Sequence, residues 1–138
     1  MTRVFCTITI DVPAEAVWLL LSDFGAACQY LFQVIDCRVE GSGIGARRTL
    51  TSTDGSTIVE QLNSLDELNH RLSYTLLSDT PFGNCVTTLA VFDLGSNQSQ
   101  LDWSATFEAD GIPTNEAEEI LAGSMSANCL ALKQFLER

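Results

Sequence analysis

Between Val34 and Ala109 the chain reads as six consecutive strands, and it then closes on one long helical stretch from Asn115 to Arg138. The strand segments are 34–40, the arm of a hairpin before a loop at 52–56, 57–66, 71–78, 84–93 and 101–109. Each alternates apolar and polar residues, the pattern of a strand with one buried face. The turn sequences DELNH, SDTPFGN and DLGSNQSQ separate the later ones. A meander of this kind leaves one apolar side uncovered. A long helix laid across the concavity is the element available to cover it, which fixes the fold class as α+β. Strongly curved sheets often leave space beneath such a helix, and ligand pockets favour that place.

The first third adds a seventh strand and two short helices. In RVFCTITI, residues 3–10, Val4, Cys6, Ile8 and Ile10 alternate with polar positions, although Phe5 breaks the pattern. Asp11 or the Val12–Pro13 step starts a helix, with proline near its first turn. Val17, Trp18, Leu20, Leu21 and Phe24 follow at helical spacing, Gly25 is expected to stop the helix, and Ala27–Phe32 reads as a second short one. Trp18 and Tyr30 are read as core or edge packing. In the long helix, Thr114 or Asn115 is the expected cap, and Glu116, Glu118 and Glu119 complement the N-terminal dipole. Leu121, Met125, Cys129 (or Asn128), Leu132 and Leu136 run down one side. No repeat or linker interrupts the chain, and its 138 residues fit one domain, 1–138.

Composition narrows the function classes. The hydrophobic fraction is 46% and the charged fraction 18%, as in folded proteins. The net charge of -11 argues against nucleic acid and anionic membrane surfaces, both of which need basic patches. No run approaches the ~18 apolar residues of a membrane span, and no signal peptide is read, so a cytoplasmic protein is expected. The five cysteines lie far apart without a CxxC and are read as free thiols. His70 is the single histidine and falls in a turn. Ser-His, Cys-His and His-metal sites therefore lose most of their support, and no metal or cofactor is expected.

Two segments invite a chemical reading. EGSGIGA, residues 40–46, is glycine-rich, but it joins two strands and lacks the GxGxxG spacing, so it reads as a hairpin turn rather than a phosphate loop. The hairpin GARRTLTSTDGSTIVEQL carries a charge on each arm of its apolar face. With residues 52–56 as the loop, Leu50 pairs with Ile58 and Arg48 with Glu60. An unpaired buried charge costs several kcal/mol, so the two should be found together. Their place is either the polar end of an internal pocket or a structural ion pair at the strand ends. Asp102, before Trp103, offers a second carboxylate, a weaker signal because the two lie far apart in sequence.

The order of elements and several motifs resemble the START-like (SRPBCC), helix-grip superfamily. That group includes the birch pollen allergen family and the polyketide cyclase/dehydrase proteins. The closest likeness is to bacterial polyketide-cyclase-like proteins and the plant abscisic-acid receptors. The residues that carry it are Pro13 and Trp18, Asp23-Phe24-Gly25 with Tyr30, Cys37, Gly43-Ile44-Gly45 with Arg48, Glu60-Gln61-Leu62 with Leu65-Asp66, Val86-Thr87-Thr88, and the closing helix. Together they span essentially the whole chain.

The resemblance implies a seven-stranded curved antiparallel sheet around a long C-terminal helix, with two short helices after the first strand. It implies an apolar cavity between sheet and helix, and a small hydrophobic molecule (lipid, polyketide or hormone-like) as the partner. It assigns the cavity lining to Arg48, Leu50, Ile58, Glu60, Leu62, Tyr74, Leu76, Cys85, Thr87, Leu121, Met125 and Cys129, with Asp102 near a carboxylate position of the receptors. Arg48 and Glu60 would orient a ligand's polar head. Two classes follow: a non-catalytic binding or carrier protein, or a polyketide cyclase/aromatase-type enzyme in which Arg48 holds an oxyanion and Glu60 or Asp102 acts as base. The receptors carry a lysine after the tyrosine matched by Tyr30; here Leu31 stands there, so a carboxylate held in that way is not expected. The loops at 52–56 and 79–83 would border the entrance. The sequence names no protein partner.

Overall fold

The computed structural model describes residues 1–138. Seven strands form one antiparallel sheet: β1 (Thr2–Ile10), β2 (Val34–Glu40), β3 (Arg47–Ser52), β4 (Thr57–Asp66), β5 (Arg71–Leu76), β6 (Phe82–Gly95) and β7 (Gln98–Ala109). Their order is β1-β7-β6-β5-β4-β3-β2, so β2 to β7 form a continuous meander and β1 pairs with its last strand. Helix α1 (Ala14–Ser22) and a short 3-10 helix (Phe24–Gln29) follow β1, and α2 (Thr114–Glu137) closes the chain. This is the helix-grip arrangement expected from the alternation and the resemblance.

Period-two patterning decides which face is covered. Along β7, Ser99, Leu101, Trp103, Ala105 and Phe107 are buried, while the residues between them are partly exposed. The inward residues meet Val4 and Ile10 of β1, Leu89 and Val91 of β6, and Ala117, Met125, Cys129 and Leu132 of α2. Each fully buried large apolar side chain contributes about 1.5–3 kcal/mol, so this face holds the sheet on the helix. Register shifts at Val34/Asp36, Leu62/Ser64 and Gly83/Val86 mark bulges that bend the strands. Helix α2 packs chiefly on β1 and β7. The concave face of β3 to β6 is therefore not directly covered by it.

Several element ends differ from the sequence reading. Neither Thr114 nor Asn115 caps α2. Pro113 holds the cap position in extended conformation, no side chain caps the helix, and Ala117 N–H bonds to the Pro113 carbonyl at 3.0 Å. Pro13 plays the same part for α1. In both cases the fixed φ of proline sets the entry geometry, and only the carbonyl is needed. Helix α1 ends at Ser22 before Gly25 is reached, because Asp23 turns out and its carboxylate accepts from Gly25 N–H at 3.2 Å. That bond opens the 3-10 helix, which covers Phe24–Gln29 rather than Ala27–Phe32. Strands β6 and β7 run almost to each other, and the turn between them is tight, with Ser96 and Asn97 both at positive φ (52° and 60°). Such a primed turn matches the twist of a hairpin. EGSGIGA joins β2 to β3 as a turn, with Gly41 and Gly45 in the left-handed region.

Candidate functional site

Beneath α2, against the inner faces of β3 to β7, lies a cavity of about 260 Å³. It sits near the lower end of the ~300–1,000 Å³ usual for ligand pockets. Of its 19 lining residues, 13 are hydrophobic. Register explains how they meet. Leu50 pairs with Ile58, Glu60 with Leu76, Tyr74 with Thr87, and Thr87 with Ala105. Each pair turns both side chains inward. Leu121, Ser124, Met125 and Asn128 face them from the middle of α2. The segment after the 3-10 helix supplies Leu31, Phe32 and Val34, and Asn128 Oδ1 fixes it by accepting from Phe32 N–H at 2.9 Å. Phe32 is 54% exposed, so the opening lies beside it. Ser52, Thr80 and Phe82 border the same opening, where the two expected loops begin or end.

Nine of the thirteen residues expected at the site are among the lining: Leu50, Ile58, Glu60, Tyr74, Leu76, Cys85, Thr87, Leu121 and Met125. Four are not. Asp102 is on the outer face, where it accepts from Thr7 Oγ1 at 2.7 Å and from Gln100 Nε2 at 2.9 Å. Leu101 and Trp103 take the inward positions on either side of it. Leu62 is buried one inward position beyond Glu60, opposite Tyr74, where it lies beside Phe24 and Gly25 instead. Cys129 is buried against Cys6 of β1, where α2 has already closed on the sheet. Arg48 is buried behind the cavity wall rather than in it.

Arg48 and Glu60 are direct cross-strand partners, as the hairpin register requires. The guanidinium is 2% exposed. Its Nε donates to Glu60 Oε1 at 2.8 Å, Nη2 forms an ion pair with the same oxygen at 2.8 Å, and Nη1 donates to the Phe24 carbonyl at 3.2 Å. The rings of Phe24 and Tyr74 cover it, with centroids 4.1 and 4.7 Å away. Burial works against the Arg48 charge, but Glu60 and then Tyr74 and Tyr30 outweigh it and hold its pKa above the ordinary value. Of the pair, Arg48 is thus packed away from the cavity and Glu60 borders it.

Both Arg48 contacts with Glu60 fall on one carboxylate oxygen. No fully buried side-chain nitrogen or oxygen lacks a partner. Glu60 Oε2, which has none, therefore keeps accessible surface, and the cavity is the space that provides it. Burial raises the Glu60 carboxyl above its usual range, opposed by Arg48. Tyr74 is pushed well above its ordinary value by burial and then by the Glu60 charge. Burial raises the Cys85 thiol as well. Tyr74 and Cys85 thus face the cavity as neutral groups.

Trp103, Ala105, Leu31, Phe32, Val34, Ser124 and Asn128 were not among the expected residues. Trp103 and Ala105 were legible from alternation along β7. The others depend on how a loop and a helix are placed. His70 lies at the far side of the molecule, stacked on Trp18 at 5.2 Å between ring centroids, with Nε2 3.7 Å from Glu15. Trp18 Nε1 donates to Glu67 at 2.6 Å. Both aromatic residues therefore serve packing. No group of three metal-ligating side chains is present, and no helix is long and apolar enough to cross a membrane.

A family model described as polyketide cyclase/dehydrase and lipid transport matches residues 1–137. Among solved structures, a Bacillus thuringiensis protein superposes with a TM-score of 0.92 at 24% identity, over 99% of this chain and 100% of that one. The Bacillus cereus protein XoxI gives 0.89 at 26% identity, over 97% and 94%. The Zhui aromatase/cyclase of a Streptomyces species gives 0.78 at 21%, over 98% and 90%. No curated protein sequence matches the chain.

Proposed function

The chain belongs to the polyketide cyclase/dehydrase and lipid transport family, and from that premise we propose that it binds or carries a small hydrophobic molecule in the cavity beneath α2. The observation that carries this reading is the mainly apolar space of about 260 Å³ with a single charged side chain, Glu60, in its wall. Burial of apolar surface supplies the affinity, at ~25 cal/mol per Å² before the costs of association. Glu60, Tyr74 and Thr87 give orientation. Ser124 is exposed on α2 at the cavity rim.

One observation favours the second reading, cyclase/aromatase-type chemistry: a carboxyl with a raised pKa faces the cavity. A single carboxyl can act as general acid or base, but no second ionised group stands beside it in the wall, because burial holds Tyr74 and Cys85 neutral. Binding is the reading we retain. Native mass spectrometry of freshly purified protein tests it, followed by identification of any molecule released on denaturation. Release of one unchanged apolar molecule per chain supports carriage. Release of a cyclised product from an added linear polyketide supports the enzyme.

A further inference from the structure

The cavity carries charge in only one form that a ligand can reach. Arg48 is out of reach: it is buried outside the cavity wall, ion-paired with Glu60 Oε1, bonded to the Phe24 carbonyl and covered by aromatic rings. No lysine, arginine or histidine is in the cavity wall. What remains is Glu60 Oε2, a carboxylate oxygen without a protein partner. An ionised carboxylate only accepts hydrogen bonds. A second carboxylate placed beside it would be desolvated without a cation and repelled. A hydroxyl, phenol or amine would instead make a charge-assisted bond, which is roughly twice as strong as a neutral one.

Resting on the cavity reading above, we infer that the site selects apolar molecules whose polar head is a hydrogen-bond donor, and discriminates against carboxylates. The ligand enters with its donor toward Glu60 Oε2 and its apolar body against Ile58, Leu76, Trp103 and Met125. The cation in the sequence, Arg48, would lead one to expect an anionic head. The geometry assigns the opposite preference, because Arg48 fixes the carboxylate and is shielded by it.

The test uses three two-ring probes of similar shape: β-naphthol, its methyl ether and the corresponding naphthoate. Binding to the full chain is measured by calorimetry at about pH 8, where the naphthol is neutral and the naphthoate is ionised. Naphthol is expected to bind roughly tenfold more tightly than the ether, and naphthoate at least tenfold more weakly than naphthol. Glu60→Gln adds a readout that mere destabilisation would not give. Its amide oxygen stays with Arg48, and its amide nitrogen, a donor, replaces Oε2 at the cavity. The naphthol advantage over the ether should then vanish or invert. If that variant does not fold, the wild-type order decides alone. Naphthoate or ether binding as tightly as naphthol overturns the donor preference and leaves the cavity reading standing. No binding by any probe overturns both.

Discussion

Replacing Glu60 by leucine leaves Arg48 without its counter-ion at a position that is 2% exposed. In the native protein Nε donates to Glu60 Oε1, Nη2 is ion-paired with the same oxygen, and Nη1 donates to the Phe24 carbonyl. The guanidinium cannot escape by deprotonation, since it stays charged at any working pH. Removing one member of a buried pair costs about 3–5 kcal/mol. Set against a usual total of about 5–15 kcal/mol, that leaves a marginal protein. Arg48→Met should cost less, about 1–3 kcal/mol, because the remaining carboxyl can protonate and touches the cavity. The double variant replaces the pair by apolar groups of similar size and should recover much of the loss. Urea denaturation of the four proteins, with a common m-value, gives the coupling. A coupling of about 2–4 kcal/mol is expected. Additivity within roughly 0.5 kcal/mol would refute the account of the pair, because noninteracting sites behave that way.

Further outcomes follow from the same geometry. Burial raises the Glu60 carboxyl, so the folded chain holds this proton more tightly than the unfolded one. Its contribution to stability is present below the ordinary carboxyl value of ~4.3 and is lost as pH rises through the folded value. The stability of the wild type relative to Glu60→Gln should therefore fall as pH rises above the ordinary carboxyl value; a rise would contradict the direction. Ser124→Phe, at the rim and exposed, should leave the urea midpoint nearly unchanged, within about 0.5 kcal/mol, while weakening uptake of an apolar probe at least roughly tenfold. Unchanged uptake would move the entrance elsewhere. His70→Ala should cost about 1 kcal/mol through loss of the stack on Trp18, with no effect on probe binding. Burial raises the thiols of Cys85 and Cys129, so both should resist iodoacetamide in the native protein and react once it is unfolded in urea, as read by peptide mass spectrometry.

The sheet was legible because period two is enforced wherever one face is buried. The Arg48–Glu60 pairing was legible for the same reason: once the loop at 52–56 is placed, register follows. Asp102 shows the cost of letting resemblance override that rule. Leu101, Trp103 and Ala105 alternate inward, so Asp102 had to face out beside Thr7. Leu62 and Cys129 fail for a different reason. They lie on the correct face, but the 3-10 helix covers one and β1 meets the other. Whether an inward residue touches protein or empty space depends on where the covering element lands, and no local pattern encodes that. The same holds for Leu31 and Phe32, brought to the rim by one bond to Asn128, and for Arg48, whose burial depends on rings distant in sequence.

The central claim is that an apolar molecule occupies the space between α2 and β3 to β7. A methyl-resolved NMR titration with the methyl ether of β-naphthol tests it most directly. Saturable shifts at Ile58, Leu76, Leu121 and Met125, with Leu72 and Leu132 unmoved, are the predicted result. No saturable shift, or shifts centred away from these four residues, would contradict the claim.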